Sequence, residues 1–371
     1  MKTLIITLEY PPQIGGIASY VANFTAHIPP EEVVVYAPVM KGDKEFDAQN
    51  NWKVYRRDPY WLFIWPRWLG MFFQVRRIVK KEKIERIHIH NVLPVGYIGY
   101  LLRKLSKVPY TIFLHGTDFQ LAIQDRSKFK KFRRVVRTAE LVVVNSTFLK
   151  KKLLERVEDL ANVRVNYPCP ADFFLTTSIT EEEKQHLRSQ LALEGKKVIL
   201  TVARMVEGKG YPHIIRLLPN ILKEIPNLVW IIIGDGPKKQ MVIDQLQKQG
   251  LQNVVRFLGL VPLAELPKYY QIADTFVLLT HPDETAEEGW GTVFLEAAAS
   301  GVPVVAGRVG GVEEAVEHMV SGIVVDVQQG KAVVETIVQL LKNPEYAREM
   351  GRKGRERVEK EFKWSKQFEK L

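Results

Sequence analysis

The chain of 371 residues has a single cysteine, Cys169, so no disulfide can form within it, and a reducing, cytoplasmic setting is expected. It has no run of about 18 apolar residues, and the apolar stretch in its opening "MKTLIITLEYPP" is too short for a secretory signal and lacks a small-residue cleavage site. A membrane-spanning chain is therefore not expected. The chain has no Asp-x-Asp, the simplest ligand set for a divalent cation bridging a diphosphate. Nor does a GxGxxG turn follow the first apolar run, which removes the usual dinucleotide fingerprint from that position. Low-complexity segments and short internal repeats are also absent. With 46% hydrophobic and 26% charged residues the composition is that of a folded soluble protein, long enough for two ordinary domains.

The charge is uneven. Residues 1–170 carry 28 Lys and Arg against 15 Asp and Glu, an excess of +13; the whole chain stands at +11, so the remainder is at −2. A one-signed field over the N-terminal half calls for an anionic partner: nucleic acid, anionic lipid or a phosphorylated substrate.

Short β-branched runs alternate with helical stretches. "KTLIITL", "EVVVYAP", "IERIHIH", "YTIFLHG" and "ELVVVNS" lie in the first half; "KKVILTVAR", "LVWIIIGDG", "VVRFLGL", "DTFVLLT", "VPVVAG" and "GIVVDV" lie in the second. Such runs predict buried parallel strands in βαβ units, and two series predict two doubly wound α/β domains. The break is placed in "VNYPCPADFF", residues 165–174, where two prolines interrupt regular structure. The expected domains are 1–168, 169–350, and C-terminal helices in 351–371, the last beginning after Trp364 with Ser365 as N-cap and packing back on the first domain.

Several strand ends carry candidate chemistry. Gly15 and Gly16 follow the first strand and Gly234, in "GDGP", follows "LVWIII"; each reads as a close approach to phosphate or as a plain strand-to-helix turn. Arg204 and Lys209, in "VARMVEGKG", can grip a diphosphate or serve as solvated loop charges. His115 and Asp118, in "FLHGTDF", sit at the same kind of edge, where the histidine either packs or exchanges hydrogen bonds with a ligand. His88 and His90 have HxH spacing but no accompanying ligand cluster, so metal binding is not expected there.

The stretch "EEGWGTVFLEAAASG" predicts a helix stopped by Gly301. The backbone amides of Gly291, Thr292 and Val293 then form an anion site, with Glu288 just before the helix and Glu296 about one turn inside it. Carboxylates accept hydrogen bonds from vicinal hydroxyls, which suits a ligand bearing sugars on both sides of a diphosphate. The competing reading is one acid complementing the helix dipole beside one solvated glutamate.

In order and spacing, "PPQIGGIASYV", "LHGTD", the Arg204/Lys209 loop, "GDGP" and the E-x7-E stretch running into "GVPVVAGRVGGVEEAV" resemble the retaining glycosyltransferases of family 4 over nearly the whole chain. Phosphatidylinositol mannosyltransferase-like members are the nearest in appearance. The resemblance implies a GT-B fold, two facing Rossmann-like domains with a deep cleft between them. It implies that Arg204 and Lys209 neutralise the donor diphosphate, Glu296 holds the ribose and Glu288 the donor sugar. Backbone around Gly16 and Gly291–Val293 closes on the donor, His115 contacts the sugar near the reacting carbon, and "FLGLV", with Leu258 and Val261, lines the base pocket. It also implies a retaining reaction without metal, cofactor or protein nucleophile. Two departures stand out: "YPCPAD" replaces the family's Asn-Gly-Val-Asp linker turn, and Glu207 and Gly208 sit inside the cationic loop.

Residues 60–81 combine seven large aromatics with five Lys/Arg and no acid, and residues 126–137 hold seven basic residues with Phe129 and Phe132. These segments read either as packed amphipathic helices or as docking surfaces for anionic lipid; related lipid-glycosylating enzymes dock through a basic N-terminal domain. The expectation is a cytoplasmic enzyme held peripherally at the inner face of the membrane. It would move a hexose, with mannose from GDP-mannose favoured, to a lipid-linked or anionic acceptor. A nucleotide-sugar epimerase on the same fold is the alternative enzyme, and a basic nucleic-acid-binding protein the alternative class, although no nucleic-acid motif is present and no such partner is expected.

Overall fold

A computed structural model describes residues 1–60, 65–282, 290–369 and 371. The chain divides into two compact units: Met1–Pro168 together with Trp364–Leu371, and Cys169–Lys363.

The first unit is built on a seven-stranded sheet: β1 (Thr3–Ile6), β2 (Val33–Ala37), β3 (Lys53–Arg56), β4 (Arg86–Ile89), β5 (Tyr110–Leu114), β6 (Leu141–Val144) and β7 (Val163–Val165). All pairs are parallel, in the order β3-β2-β1-β4-β5-β6-β7. Every residue of β1, β2 and β5 is buried, because helices cover both faces, and the sequence is correspondingly apolar without alternation. The edge strands β3 and β7 are exposed or half-buried and carry Lys53, Arg56 and Arg164. They lack the apolar run that marks the central strands.

The second unit holds β8 (Lys197–Val202), β9 (Leu228–Ile233), β10 (Val255–Gly259), β11 (Thr275–Leu278), β12 (Val304–Gly307) and β13 (Gly322–Val325), again all parallel, in the order β10-β9-β8-β11-β12-β13. Its core is dense: Trp230 is fully buried, with its Nε1–H donated to Thr201 Oγ1 at 2.9 Å. Each aliphatic side chain buried in β8 and β9 contributes on the order of 1.5–3 kcal/mol.

Both sheets are Rossmann-like and reverse their winding beside their first strand, between β1 and β4 and between β8 and β11. At such switch points the flanking loops diverge and leave a crevice at the carboxyl ends of the strands.

Two boundaries differ from the sequence expectation. The division expected at 350/351 falls inside one continuous helix, Pro344–Glu361, started by Pro344 at its first position, so the second unit continues to Lys363. The final helix spans Trp364–Phe368 with Ser365 inside it, so Ser365 is not its N-cap. Trp364 is fully buried among Tyr20, Phe24 and His27 of the first unit.

The two basic segments are packed on one side and exposed on the other. In the helix Leu69–Glu82, Met71, Phe72, Val75, Ile78 and Val79 are buried while Phe73, Arg76, Arg77 and Lys80 are exposed. In the helix Arg126–Thr138, capped by the Asp125 carboxylate on the Lys128 amide at 2.7 Å, Phe132, Val135 and Val136 are buried and the lysines point outward. Residues 61–64 lie outside the described residues. Trp65, directly after them, is 86% exposed. Among the described residues no helix is long and apolar enough to cross a membrane.

Candidate active site

In the second unit the sheet's switch point gathers the residues singled out above. β8 runs into the loop 203–210 that carries Arg204 and Lys209, and β11 runs toward the helix Thr292–Ala299 that carries Glu296. The β8 loop is held on two sides. The Met205 amide donates to Asp235 O at 2.9 Å and the Lys238 amide to Met205 O at 3.0 Å, tying the loop to the exit of β9; the His281 amide donates to Gly208 O at 3.0 Å, tying it to the exit of β11. Gly234 has φ +140°, and a Cβ there would be driven into the Ala203 carbonyl. The glycines of "GDGP" therefore serve the tight packing of two strand exits, a structural use that the sequence left open.

Arg204 is exposed and Lys209 half-buried. Glu207, between them, is drawn off by Lys238 at 3.3 Å and by the His281 ring at 3.8 Å. The one acid in the cationic loop thus has its own cationic partner, and the loop's field remains positive. Asp235 is likewise held by Lys239 at 2.9 Å, which keeps its carboxyl below the usual range.

The helix Thr292–Ala299 starts at Gly291, φ +83°, where a Cβ would collide with the Phe294 ring. Its N-cap is a glycine, so among the described residues no N-cap side chain takes up the first-turn amides, which include those of Thr292 and Val293; amides in that position suit an anion. Gly301, φ +76°, follows the helix as expected of a C-terminal stop. Glu296 is buried, with Oε2 accepting the Tyr270 hydroxyl at 3.0 Å. Burial raises its carboxyl to about 7, with the Tyr270 hydrogen bond pulling it back only in part. Tyr270, in the unremarkable sequence "LPKYYQ", carries no motif that would have announced this role. Leu258 and Val261 are half-buried beside Gly259, whose carbonyl accepts the Gly234 amide at 2.8 Å. Glu288 lies outside the described residues.

In the first unit, Gly15, Gly16 and His115 also lie at carboxyl strand ends. Gly15 has extended backbone, and a Cβ on Gly16 would meet nothing within 4 Å. Neither glycine is demanded by its conformation or by its neighbours. The preceding loop is tied across the switch point, the Leu8 amide donating to Asn91 Oδ1 at 2.7 Å. His115 follows β5; its amide donates to Asp118 Oδ1 at 3.2 Å, its carbonyl accepts from Asn145 Nδ2 at 3.2 Å, and its Nε2 lies 3.3 Å from His90 Nδ1. Burial lowers the His115 ring to about 4, so it is neutral near pH 7, and raises Asp118 to about 6. His88 and His90 are buried core histidines, and among the described residues no cluster of three or more His, Cys, Asp or Glu could hold a metal ion.

Two Rossmann-like units, each a parallel sheet with a switch point beside its first strand, have the layout of a GT-B glycosyltransferase. Comparison with known proteins agrees. Residues 14–169 match the Glycosyltransferase Family 4 model and residues 183–357 the Glycosyl transferases group 1 model. The chain is 30% identical over 341 residues to an uncharacterized glycosyltransferase of Methanocaldococcus jannaschii, covering 87% of this chain and 84% of that one. It is 28% identical over 368 residues to the GDP-mannose-dependent alpha-(1-6)-phosphatidylinositol monomannoside mannosyltransferase of Mycolicibacterium smegmatis, covering 97% and 94%. The solved structure of Anabaena HepE in complex with UDP-glucose superposes with a TM-score of 0.84 at 20% identity over 100% of this chain and 97% of that one. The chain belongs to the glycosyltransferase family defined by these paired domains.

Proposed function

We propose that the enzyme moves a hexose, mannose in preference, from a nucleotide-diphosphate sugar to a lipid-linked or otherwise anionic acceptor, with retention and without a metal. What supports this reading is that β8 and β11 are neighbours at the switch point: the first leads into the loop carrying Arg204 and Lys209, and after the second comes the helix Thr292–Ala299, with a glycine at its N-cap and the buried Glu296 inside it. As the glycosidic bond breaks, negative charge develops on the leaving diphosphate. Preorganised cations and helix-end amides stabilise that charge most in the transition state, which lowers the barrier without a Lewis acid. Glu296, once ionised, offers acceptors to the ribose hydroxyls, and His115, by the resemblance, contacts the donor sugar. Glu288, by the resemblance, holds the donor sugar, and Leu258 and Val261 contact the base. Attack on the same face as the departing phosphate, which itself takes the acceptor proton, needs no protein nucleophile.

Mannose is favoured because relatives matched over nearly their full length are named GDP-mannose-dependent mannosyltransferases acting on phosphatidylinositol mannosides. An anionic lipid acceptor accords with the basic N-terminal half and with the outward lysines and arginines of the helix Arg126–Thr138 and the exposed Trp65 and Phe73. The enzyme would then work peripherally at the cytoplasmic face of a membrane. The test is incubation with GDP-mannose, UDP-glucose or ADP-glucose, with and without phosphatidylinositol-containing vesicles and with EDTA. Mass spectrometry should find a hexosylated lipid with GDP-mannose, unaffected by the chelator. Turnover of nucleotide sugar to its epimer without acceptor would overturn the transferase reading.

A further inference from the structure

His115 is bonded to another histidine, and the surroundings of that partner decide where both protons lie. His90 Nδ1 and His115 Nε2 are 3.3 Å apart with the rings nearly parallel, at 21°. One of these nitrogens must carry hydrogen and the other must not. His90 is fully buried. Its ring stacks on Phe113 at 4.3 Å and lies edge-on to Phe24 at 5.8 Å, and among the described residues its Nε2 has no hydrogen-bond partner. A proton on that nitrogen would be a buried donor without an acceptor, which is costly and rarer in folded proteins than a bare acceptor.

We infer that His90 carries its proton on Nδ1, donates it to His115 Nε2, and thereby fixes neutral His115 as the Nδ1–H tautomer. His90 is then a positioning residue. The ring nitrogen that His115 presents to a ligand is an N–H donor, suited to a sugar hydroxyl or ring oxygen and unable to accept a proton as a general base. The assignment of a sugar contact to His115 rests on the function proposed above; the tautomer does not. The aromatic surroundings keep the pair in place. Tyr20 packs edge-on to His115 at 5.1 Å and against Trp364 of the last helix at 5.2 Å. The Tyr20 hydroxyl donates to Asn166 Oδ1 at 2.7 Å, and Asn166 Nδ2 donates to the Gln367 carbonyl at 2.8 Å. The C-terminal helix therefore closes the far side of the cage that holds the two imidazoles.

The test is long-range proton–nitrogen correlation of the full chain labelled with 15N-histidine, at pH 7.5, for wild type, His90→Asn and His90→Phe. An asparagine places an amide N–H where His90 Nδ1 stands, whereas phenylalanine removes the donor and keeps the stacked ring. Wild type and His90→Asn should show His115 protonated on Nδ1 and bare on Nε2; His90→Phe should move the proton to Nε2 and lower kcat/KM for the donor about tenfold, with His90→Asn restoring most of it. His115 found protonated on Nε2 in wild type overturns the inference, and so does a His90→Asn variant that behaves as His90→Phe. If the tautomers are as stated but His115→Ala leaves turnover unchanged, the sugar contact falls and the proton assignment stands.

Discussion

Glu296→Gln separates the stability cost of this site from its use. The carboxyl of Glu296 is raised to about 7 by burial, against an ordinary glutamate near 4.5. For an acid whose folded value is raised, the native state holds a proton that the unfolded chain has released, so the contribution to stability is fully present below about pH 4.5 and is lost as pH rises through about 7. At 1.36 kcal/mol per unit, the loss by pH 8 is about 3 kcal/mol. Glutamine keeps the shape and can still accept from Tyr270, but it does not ionise. Its advantage over wild type should therefore grow by about 3 kcal/mol between pH 4.5 and pH 8, or by about 6–12 °C in melting temperature for a domain of this size. The same substitution removes the paired acceptors proposed for the ribose and should weaken nucleotide binding by about 10- to 100-fold. Because the ligand recruits the ionised form, wild type should release protons on binding GDP at pH 6, read by calorimetry in two buffers of different ionisation enthalpy, and the variant should release fewer. A melting difference between variant and wild type that is the same at both pH values would refute the reasoning, since Glu296 would then not be a protonated, buried acid.

If Lys209 neutralises the leaving diphosphate as proposed, Lys209→Ala should reduce kcat/KM by about 10²- to 10³-fold, read by steady-state kinetics, and unchanged kinetics would contradict that role. Gly234→Ala should destabilise the second unit by more than about 2 kcal/mol, through a Cβ forced against the Ala203 carbonyl, and a urea melt indistinguishable from wild type would contradict that geometry. The enzyme should float with vesicles containing anionic lipid at low salt and detach as salt rises, and exchanging Lys128, Lys130 and Lys131 for Gln should weaken flotation by about 1 kcal/mol per charge. Recovery in the soluble fraction at both low and moderate salt would remove the membrane from the account.

What the sequence disclosed follows the physics of each element. The central strands β1, β2, β4, β5 and β6 and five of the six in the second sheet are legible because burial demands apolar, largely β-branched runs; the half-buried edge strand β10, "VRFLG", is legible from its apolar residues despite Arg256. The edge strand β3, "KVYR", and the three-residue β7 are not, because an exposed edge tolerates charge. Arg204, Lys209 and Glu296 stand out in the sequence by the strand end and the helix that carry them, whereas the adjacency of β8 and β11 comes only from the sheet. Tyr270 does not stand out: its contact with Glu296 joins residues 26 positions apart through tertiary packing, with no spacing rule behind it. Likewise His90 reads in sequence as half of an HxH, and only its ring stacking on Phe113 and its reach to His115 give it a use. The two basic segments read in sequence either as packed amphipathic helices or as docking surfaces; the helices Leu69–Glu82 and Arg126–Thr138 bury one apolar face each and leave cations exposed, with Phe73 exposed beside them on the first.

The central claim is tested most directly by following the anomeric proton of the product by NMR after incubation of the enzyme with GDP-mannose and a phosphatidylinositol acceptor in the presence of EDTA. The product should carry a new α-mannosyl linkage, formed from the α-configured donor without metal and abolished in the double variant Arg204→Ala, Lys209→Ala. A β-linked product, a requirement for divalent metal, or unchanged transfer by the double variant would contradict it.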